Sequence, residues 1–207
     1  MAYRLVMILS GCGMYDGTDP HEAVLGQYFA EKNGFEVVPV APAGLGLHVM
    51  NHTSGEAMSE TGLDLQEQSA RLVKGRLLEI STVPARFVDA LFIPGGQGVI
   101  KNLLGGLGGE AHAPTINLIR EVAALKRPIL AVSLAELLVN RATGEPLGKG
   151  CFDFPPDAVY EEEGRNIFLT PGFTAATSIA QVAAGIEQMM ELGRKAMLKG
   201  GSVLPIA

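Results

Sequence analysis

Residues Pro128–Leu138 read PILAVSLAELL. Ile129–Val132 is an apolar run of strand length, and Leu134–Leu138 begin a helical pattern, so Ser133 falls at a strand-to-helix junction. Ala131 and Ala135 stand two residues to either side of it. Small residues suit a sharp reversal, because larger groups would collide where the backbone doubles back. Such a turn lifts its central side chain above the carboxyl edge of a sheet, the geometry of a nucleophile elbow. The alternative for the same letters is a buried apolar helix carrying one serine.

Working outward, 207 residues suit one α/β domain spanning 1–207. A hydrophobic share of 47% against 18% charged residues excludes a disordered chain. The net charge of −6 offers no basic patch, so no nucleic-acid partner is expected. No apolar run reaches the roughly 20 residues of a membrane-spanning helix, so no membrane partner is expected either. MAYRLVMIL leads directly into a strand pattern, so no export signal is expected, and the two cysteines, Cys12 and Cys151, suit a reduced cytoplasm.

Taken in order, Tyr3–Leu9 reads as a first parallel strand delivering the chain to the polar, glycine-rich loop Ser10–Pro20. Asp19 can cap a following helix, with Pro20 at its first position and Gly34 after its end near Asn33. Glu22 falls in the first turn of that helix. It either complements the helix dipole or reaches the elbow. Phe35–Val40 reads as a second strand. In the polar segment NHTSGEAMSE, residues Asn51, His52, Glu56 and Glu60 either face one cavity or cap and solvate a helix start, with Ser59 as a cap.

A helix over Leu63–Val73 closed by Gly75, and a strand over Leu77–Ile80, are expected next. The apolar strand Asp89–Ile93 then meets Pro94-Gly95-Gly96-Gln97-Gly98, where several backbone N–H groups are expected to stand open to an oxyanion or carboxylate. This is neither a Walker loop nor a dinucleotide fingerprint. Gly105–Gly109 reads as a surface loop, and Pro114–Lys126 as an amphipathic helix feeding the elbow strand. Val159–Tyr160 and Asn166–Thr170 suggest a small C-terminal hairpin. Thr177–Leu198 reads as a closing helix with Ile179, Val182, Ala183, Ile186, Met189 and Met190 on its apolar stripe. The alternation of strands and helices predicts a mainly parallel sheet covered on both faces.

ILSGCGMYDGTDPHEAV, NHTSGEAMSE followed by ARLVKG, FIPGGQGVIKNL and the late LTPGF together resemble the enhancing-lycopene-biosynthesis proteins of the PfpI and class I glutamine-amidotransferase-like superfamily. The resemblance runs from about Leu5 to Ile186. It implies a flavodoxin-like three-layer sandwich, a homodimer, and an elbow cysteine beside a glutamate from the first helix. Carried onto this chain, the elbow is Ser133, the glutamate is Glu22, and the amides facing an oxyanion are those of Gly96 and Leu134, with Gly95 beside them.

This chain departs from the pattern in carrying serine where the family has cysteine, and Leu134 where many members carry histidine. A thiol becomes a thiolate through its surroundings, whereas an alcohol needs a dedicated base. The segment between the elbow helix and the hairpin is also shorter than the family's. These departures point to a protein that binds a small polar metabolite through Ser133, Glu22 and the PGGQG amides, without ordinary cysteine-dependent catalysis. The alternatives are a cofactor-independent glyoxalase-like enzyme and a regulatory or structural dimeric partner. Glutamine amide transfer is disfavoured. For the glyoxalase reading Cys12 is the candidate second nucleophile, unless it is simply a small buried residue between glycines. His21, Glu22, His48 and His52 do not space as a closed ligand set, so neither metal nor cofactor is expected.

Overall fold

The computed structural model describes residues 3–58, 62–106, 109–150 and 153–199. In chain order the elements are β1 (Tyr3–Ile8), α1 (Pro20–Lys32), β2 (Phe35–Ala41), α2 (Leu65–Ala70), β3 (Leu78–Glu79), β4 (Ala90–Ile93), α3 (Ala113–Ala124), β5 (Ile129–Val132), α4 (Ala135–Thr143), β6 (Tyr160–Glu162), β7 (Ile167–Thr170) and α5 (Ile179–Lys199). The seven strands form one sheet in the order β3-β2-β1-β4-β5-β7-β6. All neighbours run parallel except β6 and β7. α1 packs with α5 and α3 with α4. The fold is the flavodoxin-like α/β sandwich.

The apolar runs explain the strand order. Leu5–Leu9, Ala90–Ile93, Ile129–Val132 and Ile167–Leu169 are all buried, as strands covered on both faces must be. Each large side chain removed from water there contributes about 1.5–3 kcal/mol before entropy is charged against it. All the parallel strands deliver the chain to the same edge. Loops at that carboxyl edge are where such sheets hold ligands.

Local chemistry sets the helix ends. Asp19 caps α1, its Oδ1 accepting from the N–H groups of His21 and Glu22 at 2.8 and 3.1 Å, and Gly34 follows the helix at φ 78°. A cap of this kind is worth about 1 kcal/mol. α2 departs from expectation. It starts at Leu65, because Asp64 accepts from Glu67 N–H at 3.0 Å, and it passes at Arg71 into a 3-10 turn. Ser59 lies outside the described residues, as do Glu60, Leu107, Gly108 and Cys151.

β3 shrinks to two residues. The expected hairpin forms, β6 antiparallel to β7, and it joins the sheet through the pairing of β7 with β5. Ile179, expected on the buried stripe of α5, is half-exposed at the first turn, while Val182, Ile186, Met189 and Met190 are buried. After PGGQG the chain makes a wide π-type turn over Val99–Leu103 that the sequence pattern did not announce.

Candidate functional site at the carboxyl edge

β5 ends at Val132, and Ser133 reverses the chain at φ 57°, a left-handed value uncommon for a residue with a side chain. The Ser133 N–H donates to the Thr170 carbonyl at 2.9 Å, which ties the reversal to the end of β7. α4 begins two residues later, so the elbow also sits at a helix N-terminus, where negative charge is favoured. The strain is held because there is no slack around it. A Cβ on Gly95 would stand 2.7 Å from Ser133 Oγ and 2.8 Å from both its Cβ and the Val132 carbonyl oxygen. Only glycine allows the two backbones to meet this closely.

Glu22 reaches back from the first turn of α1 into this edge and is buried. Its Oε2 accepts from Gly95 N–H at 2.7 Å and its Oε1 from Phe173 N–H at 3.1 Å. A Cβ on Gly172, at φ 52°, would strike Oε1. Burial pushes the carboxyl up to about 8 and nearby Asp19 adds to the shift, while the Phe173 and Gly95 amides pull it back. At neutral pH Glu22 is therefore mostly a neutral acid carrying one transferable proton. Its two oxygens are thus taken by the amides of Gly95, which packs against Ser133, and of Phe173.

The PGGQG turn is less open than expected. Gly95 N–H is spent on Glu22, Gln97 N–H on the Met14 carbonyl at 2.8 Å, and Gly98 N–H on the Gly17 carbonyl at 3.0 Å. Among the described residues the N–H groups of Gly96 and Leu134 have no acceptor. They are the two amides singled out from the resemblance.

His52, Glu56 and Asn51 do not converge on the elbow. Asn51 Oδ1 accepts from the N–H groups of Thr53 and Ser54, folding its own turn, and Glu56 is exposed. His52 instead packs on the first loop. Its Nε2 lies 3.6 Å from Oδ1 of buried Asp16, its Nδ1 lies 3.1 Å from the Met50 carbonyl, and its ring meets Tyr15 at 5.2 Å. Asp16 Oδ2 accepts from Met50 N–H at 2.8 Å. Asn102 bonds the carbonyls of Ser10 and Asp16 at 2.9 and 2.7 Å, and Lys101 bonds that of Tyr15 at 2.5 Å.

Asp16, Asn102 and Lys101 are thus organising residues that the sequence reading passed over. The aspartate and glycine after Tyr15, and the polar pair inside VIKNL, were the available signals. Cys12 is half-buried in the same loop. Burial pushes its thiol up, Arg71 pulls it down and Asp16 pushes it up again. A Cβ on Gly17 would meet the Cys12 backbone, and one on Gly96 would meet the Gly17 carbonyl, so this loop packs directly on the PGGQG turn.

The chain is 32% identical over 142 residues to the rat (Rattus norvegicus) ES1 protein homolog, mitochondrial, covering 67% of this chain and 53% of that protein. It is 37% identical over 102 residues to the human (Homo sapiens) glutamine amidotransferase-like class 1 domain-containing protein 3, mitochondrial, covering 49% of this chain and 38% of that one. In structure it is similar to an isoprenoid biosynthesis protein with amidotransferase-like domain from Ehrlichia chaffeensis. The TM-score is 0.82 at 24% identity over 94% of this chain and 99% of that one. The chain belongs to the ES1 and class 1 glutamine-amidotransferase-like family of these relatives.

More distant likenesses show the fold alone. DJ-1beta of Drosophila melanogaster matches at TM-score 0.54 and 14% identity over 97% of each chain. Glyoxalase III of Candida albicans matches at 0.53 and 12% over 92% of this chain and 97% of that one. No family model matches the chain. The chain spans about half the length of the rat ES1 homolog. Among the described residues no helix is long and apolar enough to cross a membrane, and no three His, Cys, Asp or Glu side chains gather as a metal site.

Proposed function

We propose that the elbow edge binds a small polar metabolite bearing a carbonyl or carboxylate oxygen, and that it lacks cysteine-type covalent catalysis. Glu22 carries this reading: a buried acid raised to about 8 beside the elbow donates a proton to such an oxygen. The amides of Gly96 and Leu134, at the N-terminus of α4, then face the ligand's negative charge. Ser133 hydrogen-bonds the ligand. It does not attack it, because an alcohol needs a base and a neutral Glu22 is not one. Cys12 takes no part, since burial pushes its thiol up, away from the thiolate a nucleophile needs.

The second reading is a cofactor-independent glyoxalase-like enzyme. A neutral acid beside an elbow supports it, because glyoxal plus one water gives a hydroxy acid by oxidising one carbonyl carbon and reducing the other, which needs proton transfer and no external electron carrier. Turnover of glyoxal and of glutamine by the native protein, Ser133→Ala and Ser133→Cys separates the readings. Binding alone predicts no turnover by the native protein and glyoxal turnover gained in Ser133→Cys. Native glyoxal turnover lost in Ser133→Ala makes Ser133 a nucleophile and overturns the binding reading. Silence from all three, with no small carbonyl or carboxylate metabolite raising the melting temperature, moves the function to a regulatory or structural partner.

The same proposal takes the protein as a homodimer in a reduced compartment. Light scattering should return twice the 21.8 kDa chain mass. The cytoplasm is read from the sparse cysteines, whereas the rat and human relatives carry mitochondrial in their names, and cell fractionation decides between them.

A further inference from the structure

β2 is the last full-length strand on its side of the sheet. β3 pairs with it only at Val40 and Ala41, so Phe35–Pro39 has no outer neighbour. Leu9 N–H donates to the Val40 carbonyl, and alternate residues of a strand turn their polar groups to opposite sides. Val37 and Pro39 therefore turn theirs outward, and proline there leaves no N–H unpaired at the edge. The helix after β2 should cover this end of the sheet. Instead α2 is six residues long and gives way to the 3-10 turn Arg71–Val73, then to Lys74 at φ 55° and Gly75 at φ 77°.

The shortfall leaves a cavity of about 390 Å³ between α1 and that turn. Val37, Pro39, Leu72 and Val73 supply the apolar part of its lining, and Gln27, Glu31, Lys74 and Arg76 the polar part. Both cations are exposed, and among the described residues their side chains have no hydrogen bond or ion pair. Two unpaired cations beside a short apolar strip, against the single acid Glu31, favour a ligand with an anionic head and an apolar chain.

We infer that this groove binds a small amphipathic anion, an aliphatic carboxylate whose head lies between Lys74 and Arg76 and whose chain covers Val37, Leu72 and Val73. The cavity shares no lining residue with the elbow, so this inference stands apart from the proposed function.

Octanoate titrated into the full chain, followed by backbone amide NMR, tests it. The expected result is a set of shifts at Val37, Leu72, Val73 and Lys74 that saturates by about 10 mM, with hexanoate weaker by about tenfold for its two missing methylenes. The double variant Lys74→Glu/Arg76→Glu, altered only at exposed positions, should weaken octanoate by about tenfold or more while the rest of the spectrum is unchanged. Octan-1-ol binding as tightly as octanoate overturns the inference. So do shifts falling at Gly95 and Ser133 instead, octanoate binding untouched by the charge reversal, or no shifts at all.

Discussion

Two buried carboxyl groups stand near the carboxyl edge of the sheet, and they do different work. Glu22 is held by the backbone alone: two amides, Gly95 and Phe173, reach its two oxygens, and Asp19, itself acidic, is its charged neighbour. Asp16 is held between backbone and side chain, with the Met50 amide on one oxygen and the His52 imidazole beside the other. The first arrangement holds a proton at the elbow edge. The second fastens one loop to another. Burial alone does not mark a functional carboxyl; what faces it does.

The comparison breaks most visibly at the glycines that serve each cluster. Gly95→Val should cost about 3 kcal/mol or more in thermal unfolding, because the new side chain meets the Val132 carbonyl and the Ser133 Cβ, which is fixed by the elbow backbone. Gly13→Ala should cost less, about 1–2 kcal/mol from its φ of 140°, because what its Cβ meets is the Asp16 and His52 side chains. Equal losses at the two sites would erase the distinction between backbone-built and side-chain-built clusters.

The next largest effect is pH dependence. Glu22 is raised in the folded state to about 8 from an ordinary 4.5, so between those values the native protein holds a proton that the unfolded chain has released. Its contribution is intact below about 4.5, falls as pH rises, and is lost on passing about 8. Chemical denaturation across this range should show native stability falling more steeply than that of Glu22→Gln. Parallel curves would mean that Glu22 ionises in the ordinary range. Asp16→Ala should cost about 1–3 kcal/mol by stranding the Met50 amide, and leave the Glu22 pH dependence in place. His52→Ala, at the exposed rim of that cluster, should cost about 1 kcal/mol or less.

What was legible in the sequence follows the same division. The elbow was readable because its demands are local: an apolar strand, alanines at 131 and 135, and a helix starting at once. The cap of α1 was readable for the same reason. The fate of the PGGQG amides was not, because their acceptors, Glu22 and the carbonyls of Met14 and Gly17, come from distant sequence. His52 was placed among the acidic groups beside it in the chain, whereas its partner is Asp16, brought across by the fold. The short α2 escaped because Asp64 supplied a cap inside a pattern that looked continuous.

The most direct test of the account is the titration of the Glu22 carboxyl by carbon-13 NMR in the native protein, assigned with Glu22→Gln. A midpoint near 8 is predicted, with Gly95 and Phe173 amide shifts moving in step because both donate to it. A midpoint near the ordinary 4.5 would make Glu22 an anion at neutral pH, remove the proton the elbow depends on, and contradict the proposed function.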